Sequence, residues 1–328
     1  MNFADKLINA IIAKRSYLCV GLDPQLRYFP PHLLQYSSRV SEPGYKASAV
    51  AIYNFNMAII NATINEAACY KPQMAFYEKY GSSGIEAFEL TVKYLHSLGE
   101  LVIEDAKRED GGDTADAYAD GHMGEVEVVG KNGEIEMMTS PYNVDSITVT
   151  PWICDPNFSS FLRVANDHGK GFFVVDLTSF KPNSFLQNMI DQKSGMPAWQ
   201  VLAKYVEQIG KPLVGVHGYS SVGVVLGATQ GSNDAEIMKE IIPKAIKLIP
   251  GFGYQGGGAD DAVVCFNEDG FGGIVNNSRV TNYAWHKKFK SEFQCDPKYF
   301  ANAAAQEAKR AREALNMAVL KKNGFLPF

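Results

Sequence analysis

Short apolar runs alternate with longer amphipathic stretches along most of this chain of 328 residues. The apolar runs have the length of buried strands, and they end at polar, glycine or proline residues. We predict eight barrel strands, at residues 17–22, 67–70, 101–105, 146–150, 171–177, 222–226, 245–249 and 273–275. A further short run at 213–216 is predicted as a side hairpin outside the sheet.

Between these strands, apolar residues recur at helical spacing. The predicted helices include an N-terminal helix at 4–14 and a C-terminal helix at 298–321, with others at 47–62, 85–98, 157–166, 196–209 and 234–242; the proline-rich stretch 27–34 is predicted as a loop. Strands that alternate with helices favour a parallel sheet, and eight such units favour a (β/α)8 TIM barrel. We therefore expect one α/β domain over residues 1–328.

One segment departs from this alternation of strand and helix. Residues 125–138 change to a two-residue period, with Val126 and Val128 before the turn and Ile135 and Met137 after it. An Asn-Gly pair lies between the two halves, and this pair is typical of a tight β-hairpin. We predict a two-stranded hairpin inserted into the barrel at 125–138.

Composition and charge narrow the functional class. A net charge of −5 and a pI of about 5.7 argue against a nonspecific nucleic-acid binder, which needs clustered Lys and Arg. The five scattered cysteines indicate a reducing compartment and no structural zinc. No stretch reaches the roughly 18 to 20 apolar residues of a membrane span. We expect a cytoplasmic protein that binds neither nucleic acid nor membranes.

Polar residues follow the carboxyl ends of the predicted strands, which is the face where (β/α)8 barrels place their sites. These residues are Asp23, Lys71, Asp105, Lys107, Thr150, Ser179, Gln255 and Arg279. The densest chemistry lies in the stretch 101–114, where an apolar run ends in closely spaced charges of both signs. If 101–105 is a strand, Asp105 and Lys107 lie on the same side of the chain. The alternative is a solvated charge run that opens a helix.

With these residues in place, the chain closely resembles the orotidine 5′-phosphate decarboxylase family, in particular its longer monofunctional branch. The resemblance spans nearly the whole chain, and its motifs occur in order at successive strand ends. The motifs are Gly21-Leu-Asp23-Pro24, Lys71-Pro-Gln-Met-Ala-Phe-Tyr-Glu78, Asp105-Ala-Lys107-Arg-Glu-Asp110, Leu177-Thr-Ser179, Pro250-Gly-Phe-Gly-Tyr-Gln-Gly-Gly257 and Asn277-Ser-Arg279.

This resemblance implies the conversion of orotidine 5′-phosphate to UMP and CO2 in pyrimidine biosynthesis, without metal or organic cofactor. Loss of CO2 from C6 leaves a carbanion that no carbonyl group delocalises, so a preorganised cation must stabilise it. By resemblance, Lys107 is that cation and protonates C6, while Asp105 adds like-charge stress beside the departing carboxylate. By the same resemblance, Lys71 and Asp110 complete an alternating array of acidic and basic side chains and hold Asp105 and Lys107 in position.

A phosphate site is expected on the last two strands of the barrel. Gln255, Gly256 and Gly257 belong to a glycine-rich turn, where backbone N–H groups can approach an anion. Arg279, after the next strand, can give a bidentate charged contact. The alternative for a glycine-rich turn by itself is a tight loop with no ligand.

The remaining substrate contacts and the assembly also come from the resemblance. Asp23 and Lys71 are expected to bind ribose hydroxyls, and Ser179 is expected to bind the pyrimidine edge. Asp110 and Thr114 are expected to reach the site of a neighbouring subunit. This arrangement implies a homodimer that is required for activity.

Three features depart from the family pattern. Gly111 replaces a branched apolar residue, Asp113 replaces a small neutral one, and the segment 178–184 differs in length from the usual Thr-Ser-Asn-Pro pattern. Two alternative functions stay open, the first because the superfamily shares the Asp-x-Lys-x-x-Asp motif and the second because of Gly111 and Asp113. One is a phosphosugar decarboxylase or epimerase of the same superfamily, which is often metal-dependent, and the other is a nucleotide-binding relative without activity.

Overall fold

The computed structural model describes residues 1–179, 185–228, 232–253, 256–289 and 291–328. Within these ranges the strands are β1 Leu18–Leu22, β2 Cys69–Pro72, β3 Ile103–Arg108, β4 Glu125–Val129, β5 Ile135–Thr139, β6 Ser146–Val149, β7 Gly171–Leu177, β8 Ser220–Leu226, β9 Ala245–Ile249 and β10 Gly273–Asn277. All eight predicted barrel strands are present among them.

Helices follow or precede each barrel strand. They are α1 Phe3–Lys14, α2 Pro31–Val40, α3 Tyr45–Thr63, α4 Ala75–Glu78, α5 Gly81–Ser97, α6 Gly112–Met123, α7 Asp155–His168, α8 Ala198–Gly210, α9 Ser232–Ile241, α10 Ala259–Ala262, α11 Arg279–Asn282 and α12 Phe300–Asn323. In the described ranges, no helix is both long enough and apolar enough to cross a lipid bilayer.

Eight parallel strands form a closed barrel. Their hydrogen-bonded order is β2-β1-β10-β9-β8-β7-β6-β3, and bridges from Tyr70 to Val102 and from Gln73 to Asp105 join the first strand of this order to the last. The strand order therefore follows the chain around the barrel, with the β4–β5 hairpin outside it. The predicted (β/α)8 fold is confirmed.

The barrel strands are apolar because helices cover them from outside and side chains fill them from inside. Every residue of β1, β8 and β9 is buried, as expected for parallel strands that are covered on both faces. The carboxyl ends of these strands meet at one rim, and this rim carries the polar residues that the sequence pattern singles out.

Gly21 allows β1 and the end of β10 to approach each other beside that rim. On its other side, Gly21 pairs with Lys71 of β2. A Cβ atom at Gly21 would lie 1.8 Å from Ser278 Oγ and 3.0 Å from Asn276 Oδ1. Since no side chain fits at such distances, glycine is required here for the residues after β10 to pack against β1.

The hairpin insertion is confirmed, and it lies outside the core. Strands β4 and β5 pair antiparallel, with Val128 opposite Glu136 and Val129 opposite Ile135. Every residue of β5 is exposed, and Val129 retains 83% of its accessible surface. The hairpin therefore contributes no wall to the site at the barrel rim.

Two details differ from the predicted elements. The stretch 27–34 contains a 3₁₀ turn at Leu26–Tyr28 and the start of α2, because Pro31 occupies the first turn of the helix, where its missing N–H is not needed. The run 213–216 forms no strand, and it makes a single antiparallel bridge from Val214 to Ser220. The barrel strand at this position is β8, as predicted.

We predict that Gly21→Ala lowers the free energy of unfolding by about 1–3 kcal/mol, because the new methyl group overlaps Ser278. Urea unfolding followed by circular dichroism measures this change. The matched control is Gly121→Ala inside α6, where a Cβ atom meets nothing within 4 Å. We expect the control to raise the free energy of unfolding by about 0.5–1 kcal/mol, and equal effects of the two substitutions would contradict the packing argument.

Candidate active site

A cavity of about 230 Å³ lies at the carboxyl ends of the barrel strands. Residues in or directly after strands all around the barrel contribute to its walls. Among the residues predicted for the site, those that line it are Asp23, Lys71, Asp105, Lys107, Ser179 and Arg279. The sheet therefore brings together residues that are up to 256 positions apart in the chain, from Asp23 to Arg279.

Asp105 lies between two lysines at the base of this cavity. Lys71 Nζ donates a hydrogen bond to Asp105 Oδ2 at 2.7 Å, and Lys107 Nζ donates to the other oxygen, Oδ1. The Lys71 side chain is buried, with 5% of its surface exposed, whereas Lys107 keeps 45%. The predicted placement of Asp105 and Lys107 on one side of the chain is confirmed. The alternative, a solvated charge run that opens a helix, is wrong.

The two lysines keep Asp105 charged. Burial alone would raise the pKa of Asp105, but Lys71 and Lys107 outweigh it and hold the pKa well below its usual range. Burial would lower the pKa of Lys71, but Asp105 and Asp23 outweigh it and raise the pKa. Both groups therefore remain ionised at neutral pH, with opposite charges in contact between two side chains that are largely buried.

The strand that carries Asp105 and Lys107 is longer and less regular than predicted. β3 continues to Arg108, and its register against β6 shifts between Glu104 and Arg108. Lys107 has a φ of 52°, which is the left-handed region that non-glycine residues seldom adopt. A bulge in β3 therefore directs both charged side chains into the cavity.

Asp23 is a second carboxylate on the cavity wall. Its Oδ1 atom is buried and accepts no hydrogen bond from any of the described residues. Burial raises the pKa of Asp23, Lys71 opposes this rise, and Asp105 adds to it. A buried acceptor without a donor is suited to a hydroxyl group of a ligand.

Ser179 and Arg279 lie on the walls formed by β7 and β10. Gly227, directly after β8, permits the approach of Ser179, because a Cβ atom there would lie 2.5 Å from the Ser179 backbone. Arg279 is the first residue of α11 and follows the buried Asn277 by two positions. A serine hydroxyl and a guanidinium group thus lie on the same rim as the Lys71–Asp105–Lys107 array.

The glycine-rich turn contributes less to the cavity than predicted. Gly251 and Phe252 line it, but Gly256 and Gly257 do not. The N–H groups of Gly256 and Gly257 donate to Gly253 and Gly251 within the turn. Gln255 lies outside the described residues, so its predicted phosphate contact stays a prediction, as do those of the two glycines.

Comparisons with known proteins identify the family. A family model described as orotidine 5′-phosphate decarboxylase / HUMPS matches residues 16–268. The orotidine 5′-phosphate decarboxylase of Rhodopirellula baltica is 34% identical over 315 residues, which are 96% of this chain and 99% of the relative. The chain belongs to the orotidine 5′-phosphate decarboxylase / HUMPS family.

Further relatives of the decarboxylase family agree. The orotidine 5′-phosphate decarboxylase of Clostridium novyi is 35% identical over 285 residues, covering 87% of this chain and 90% of the relative. The solved structure of Leishmania donovani OMP decarboxylase superposes with a TM-score of 0.65 and 27% identity, and the match covers 96% of this chain and 100% of that one.

Two residues assigned from the decarboxylase family lie outside this chain's own cavity. Asp110 accepts a hydrogen bond from the N–H of Gly111 at 2.7 Å, and its own N–H faces Asn157 Oδ1 at 3.4 Å. Thr114 is exposed on the first turn of α6. Neither residue contacts the Lys71–Asp105–Lys107 array within the single chain.

The departures from the decarboxylase pattern lie beside those two residues. A Cβ atom at Gly111 would meet Pro156 at 3.4 Å, an ordinary contact, so glycine is not required there by lack of space. Asp113 is exposed in the first turn of α6, where a carboxylate interacts favourably with the helix dipole. Residues 180–184 of the third departure lie outside the described residues.

The sequence did not assign to the site six polar residues that line the cavity, which are Gln73, Thr148, Thr178, Asn276, Asn277 and Ser278. Thr150, which the strand-end pattern singled out, instead donates to Glu109 Oε2 at 2.7 Å and does not line the cavity. A two-residue step back from Thr150 along the strand would have indicated Thr148. Across the described ranges, no group of three or more His, Cys, Asp or Glu residues is arranged to hold a metal ion.

We predict that Asp105→Asn lowers the free energy of unfolding by about 3 kcal/mol at neutral pH, because it removes the carboxylate that contacts the buried Lys71. The depressed pKa of Asp105 stabilises the folded state above its unfolded pKa of about 4, and this contribution is lost as pH falls through the folded value. The difference between wild type and variant should therefore shrink below about pH 4.

Urea unfolding at a series of pH values measures this difference. Asp113→Asn is the control, since it removes an exposed carboxylate from the surface of α6. A pH-independent difference for Asp105→Asn, or an equal effect in the control, would contradict the assignment of the stabilising charge to Asp105.

Proposed function

We propose that this chain catalyses the decarboxylation of orotidine 5′-phosphate to UMP and CO2 in pyrimidine biosynthesis, as an enzyme of the cytoplasm. The observation that carries the proposal is the Lys71–Asp105–Lys107 array at the base of the cavity. It places a partly exposed ammonium group beside a carboxylate that stays ionised. Membership of the decarboxylase family supports the choice of substrate.

In the proposed reaction, the bond between C6 and the substrate carboxylate breaks, and its electron pair stays on C6 as CO2 leaves. The ammonium group of Lys107 stabilises this pair and then donates a proton to C6. The lysine regains its proton from solvent, to which its side chain is exposed. Lys71 is suited to a fixed role, because it is buried against Asp105.

Asp105 contributes through its charge. Its low pKa means that it faces the substrate carboxylate as an anion, and this repulsion disappears when neutral CO2 forms. The same charge holds the two ammonium groups in position before the substrate binds. The site is therefore preorganised for the carbanion rather than for the substrate carboxylate.

The other predicted contacts are assigned on the same basis. Asp23, whose buried Oδ1 has no donor among the described residues, accepts a hydrogen bond from a ribose hydroxyl, with Lys71 beside it. Arg279 binds the phosphate, with the turn at 255–257, and Ser179 binds the pyrimidine edge. Binding energy from the phosphate end can then be used to order the reacting end.

The proposed enzyme is a homodimer in which Asp110 and Thr114 complete the neighbouring site. Two observations support this proposal. Both residues lie outside their own cavity, and the segment after β6 has an apolar surface on which Trp152 is 78% exposed. Glu109 lies between β3 and Asp110 and accepts a hydrogen bond from the N–H of Ile153 at 2.7 Å. This bond connects the surface to the segment that carries Asp110.

We predict that the wild-type protein consumes orotidine 5′-phosphate in the presence of EDTA, and that Lys107→Ala lowers kcat by at least about 10³-fold while UMP binding changes little. The reason is that Lys107 acts on C6, whereas the ribose and phosphate contacts lie elsewhere. The loss of substrate absorbance measures turnover, and calorimetry measures UMP binding.

The control for this substitution is Lys93→Ala on α5, which removes an exposed lysine whose side chain keeps 65% of its surface. Turnover that EDTA abolishes would favour the metal-dependent phosphosugar class. Tight UMP binding without any turnover would favour an inactive relative, and a Lys107→Ala variant with most of its kcat would refute the role of Lys107.

We predict that Lys107→Ala and Asp110→Asn complement each other when their subunits are exchanged. In a mixed dimer, one site has both defects and the other has none, so random exchange restores about a quarter of the wild-type sites. Mixing Lys107→Ala with Asp105→Asn is the control, because both residues belong to one chain's array and each mixed site keeps a defect. Equal activity from the two mixtures would contradict a shared site.

A further inference from the structure

Thr148 lies directly beneath the Asp105–Lys107 pair. It is on β6, its residue surface is 1% exposed, and it lines the cavity. Its hydroxyl accepts a hydrogen bond from the backbone N–H of Lys107 at 3.0 Å and donates one to Asp105 Oδ1 at 3.1 Å. One side chain thus contacts both reacting groups, through the backbone of one and the carboxylate of the other.

The bulge in β3 creates the need for this hydroxyl. Glu104 pairs with Ile147 and Arg108 pairs with Val149, so the three residues 105–107 lie opposite the single residue Thr148. The regular ladder resumes when Thr150 N donates to Arg108 O at 3.1 Å. Between these points, the Lys107 N–H bonds to the Thr148 side chain instead of a β6 carbonyl group.

The direction of the hydrogen bonds is determined by their chemistry. A backbone N–H can only donate, so the Thr148 hydroxyl must accept from Lys107. The single hydroxyl proton is then available to the Asp105 carboxylate, which can only accept while it is ionised. The two hydrogen bonds, from the Lys107 N–H to Thr148 and from Thr148 to Asp105, therefore point in the same direction, and each one strengthens the other.

This hydroxyl restrains two groups that would otherwise have freedom to move. Lys107 has a φ of 52°, an unfavourable conformation for a non-glycine residue that persists only when surrounding contacts enforce it. Asp105 meets Lys71 from β2, Lys107 from β3, Thr148 from β6 and, at longer range, Asp23. Among these groups, Thr148 is the uncharged one, so it can fix the position of the Asp105 carboxylate without neutralising its charge.

We propose that Thr148 is a positioning residue for the decarboxylation, which holds the Lys107 ammonium and the Asp105 carboxylate in the geometry that acts on C6. The inference rests on the proposed function, because it assigns Thr148 to the same reaction. Its effect passes through Lys107 and Asp105 rather than through a contact with the reacting carbon.

The test compares Thr148→Val, which keeps the shape and removes the hydroxyl, with Thr148→Ser, which keeps the hydroxyl. We expect Thr148→Val to lower kcat about 100-fold, since a displacement of about 1 Å at a reacting group has an effect of this size. KM should change less than about threefold, because the ribose and phosphate contacts remain. Thr148→Ser should recover most of kcat.

A binding experiment gives a readout that does not depend on turnover. A UMP analogue with an anionic oxygen at C6 places negative charge where Lys107 acts, whereas UMP does not. We expect Thr148→Val to weaken binding of the analogue by about 10- to 100-fold, as for a lost charge-assisted contact, and to leave UMP binding within about twofold. Isothermal calorimetry measures both dissociation constants.

The control is Ser146→Ala, two residues earlier on β6. Its hydroxyl is buried and has no hydrogen-bond partner among the described residues, so its removal tests the loss of any hydroxyl from this face of the strand. It should leave kcat and the ratio of analogue to UMP binding unchanged. Thr148→Ala replaces Thr148→Val in every comparison if the valine variant does not fold.

Two results would overturn the proposal. One is a Thr148→Val variant with wild-type kcat and wild-type analogue binding, and the other is an equal loss in Thr148→Val and Thr148→Ser. Failure of the proposed function is distinguishable, since the wild-type protein would then not turn over orotidine 5′-phosphate. In that case the ratio of analogue to UMP binding still decides whether Thr148 positions the charge.

Discussion

The contact between Asp105 and two lysines is the constraint on which the rest of the site depends. A carboxylate with little access to water would take up a proton, and a buried lysine would lose one, unless each is stabilised by the other. Asp105 accepts from Lys71 on one oxygen and from Lys107 on the other. Closing the barrel between β2 and β3 brings these groups together, so the charge state of the site depends on the fold.

The two lysines have different freedom. Lys71 is buried within β2 beside the closure of the barrel, while Lys107 lies on the bulged end of β3 with nearly half of its side chain exposed. A group that must donate a proton and regain it needs access to both ligand and solvent. A group that only maintains the charge of a neighbour is better held rigid. The burial of each lysine is therefore consistent with the separate role that is proposed for it.

The sequence predicts the barrel well because each strand is an apolar run that ends abruptly. It also predicts that several residues at strand ends, among them Asp23, Lys71 and Arg279, line one cavity, since the carboxyl ends of parallel strands meet at one rim. The bulge at 105–107 and the left-handed backbone of Lys107 could not be predicted, because they depend on the register between β3 and β6. The contacts of Thr148 with Asp105 and Lys107 could not be predicted for the same reason, because they form opposite the bulge.

The stretch 101–114 consists of two parts, and the end of β3 separates them. Up to Arg108 the chain runs along the barrel and directs side chains into its own cavity, but Gly111 and Gly112 then turn it into α6, which leads away from the rim. Thr114, on the first turn of that helix, is exposed and does not line its own chain's cavity. Its position on α6 rather than on β3 therefore supports the proposal that it completes a site on a second copy of the chain.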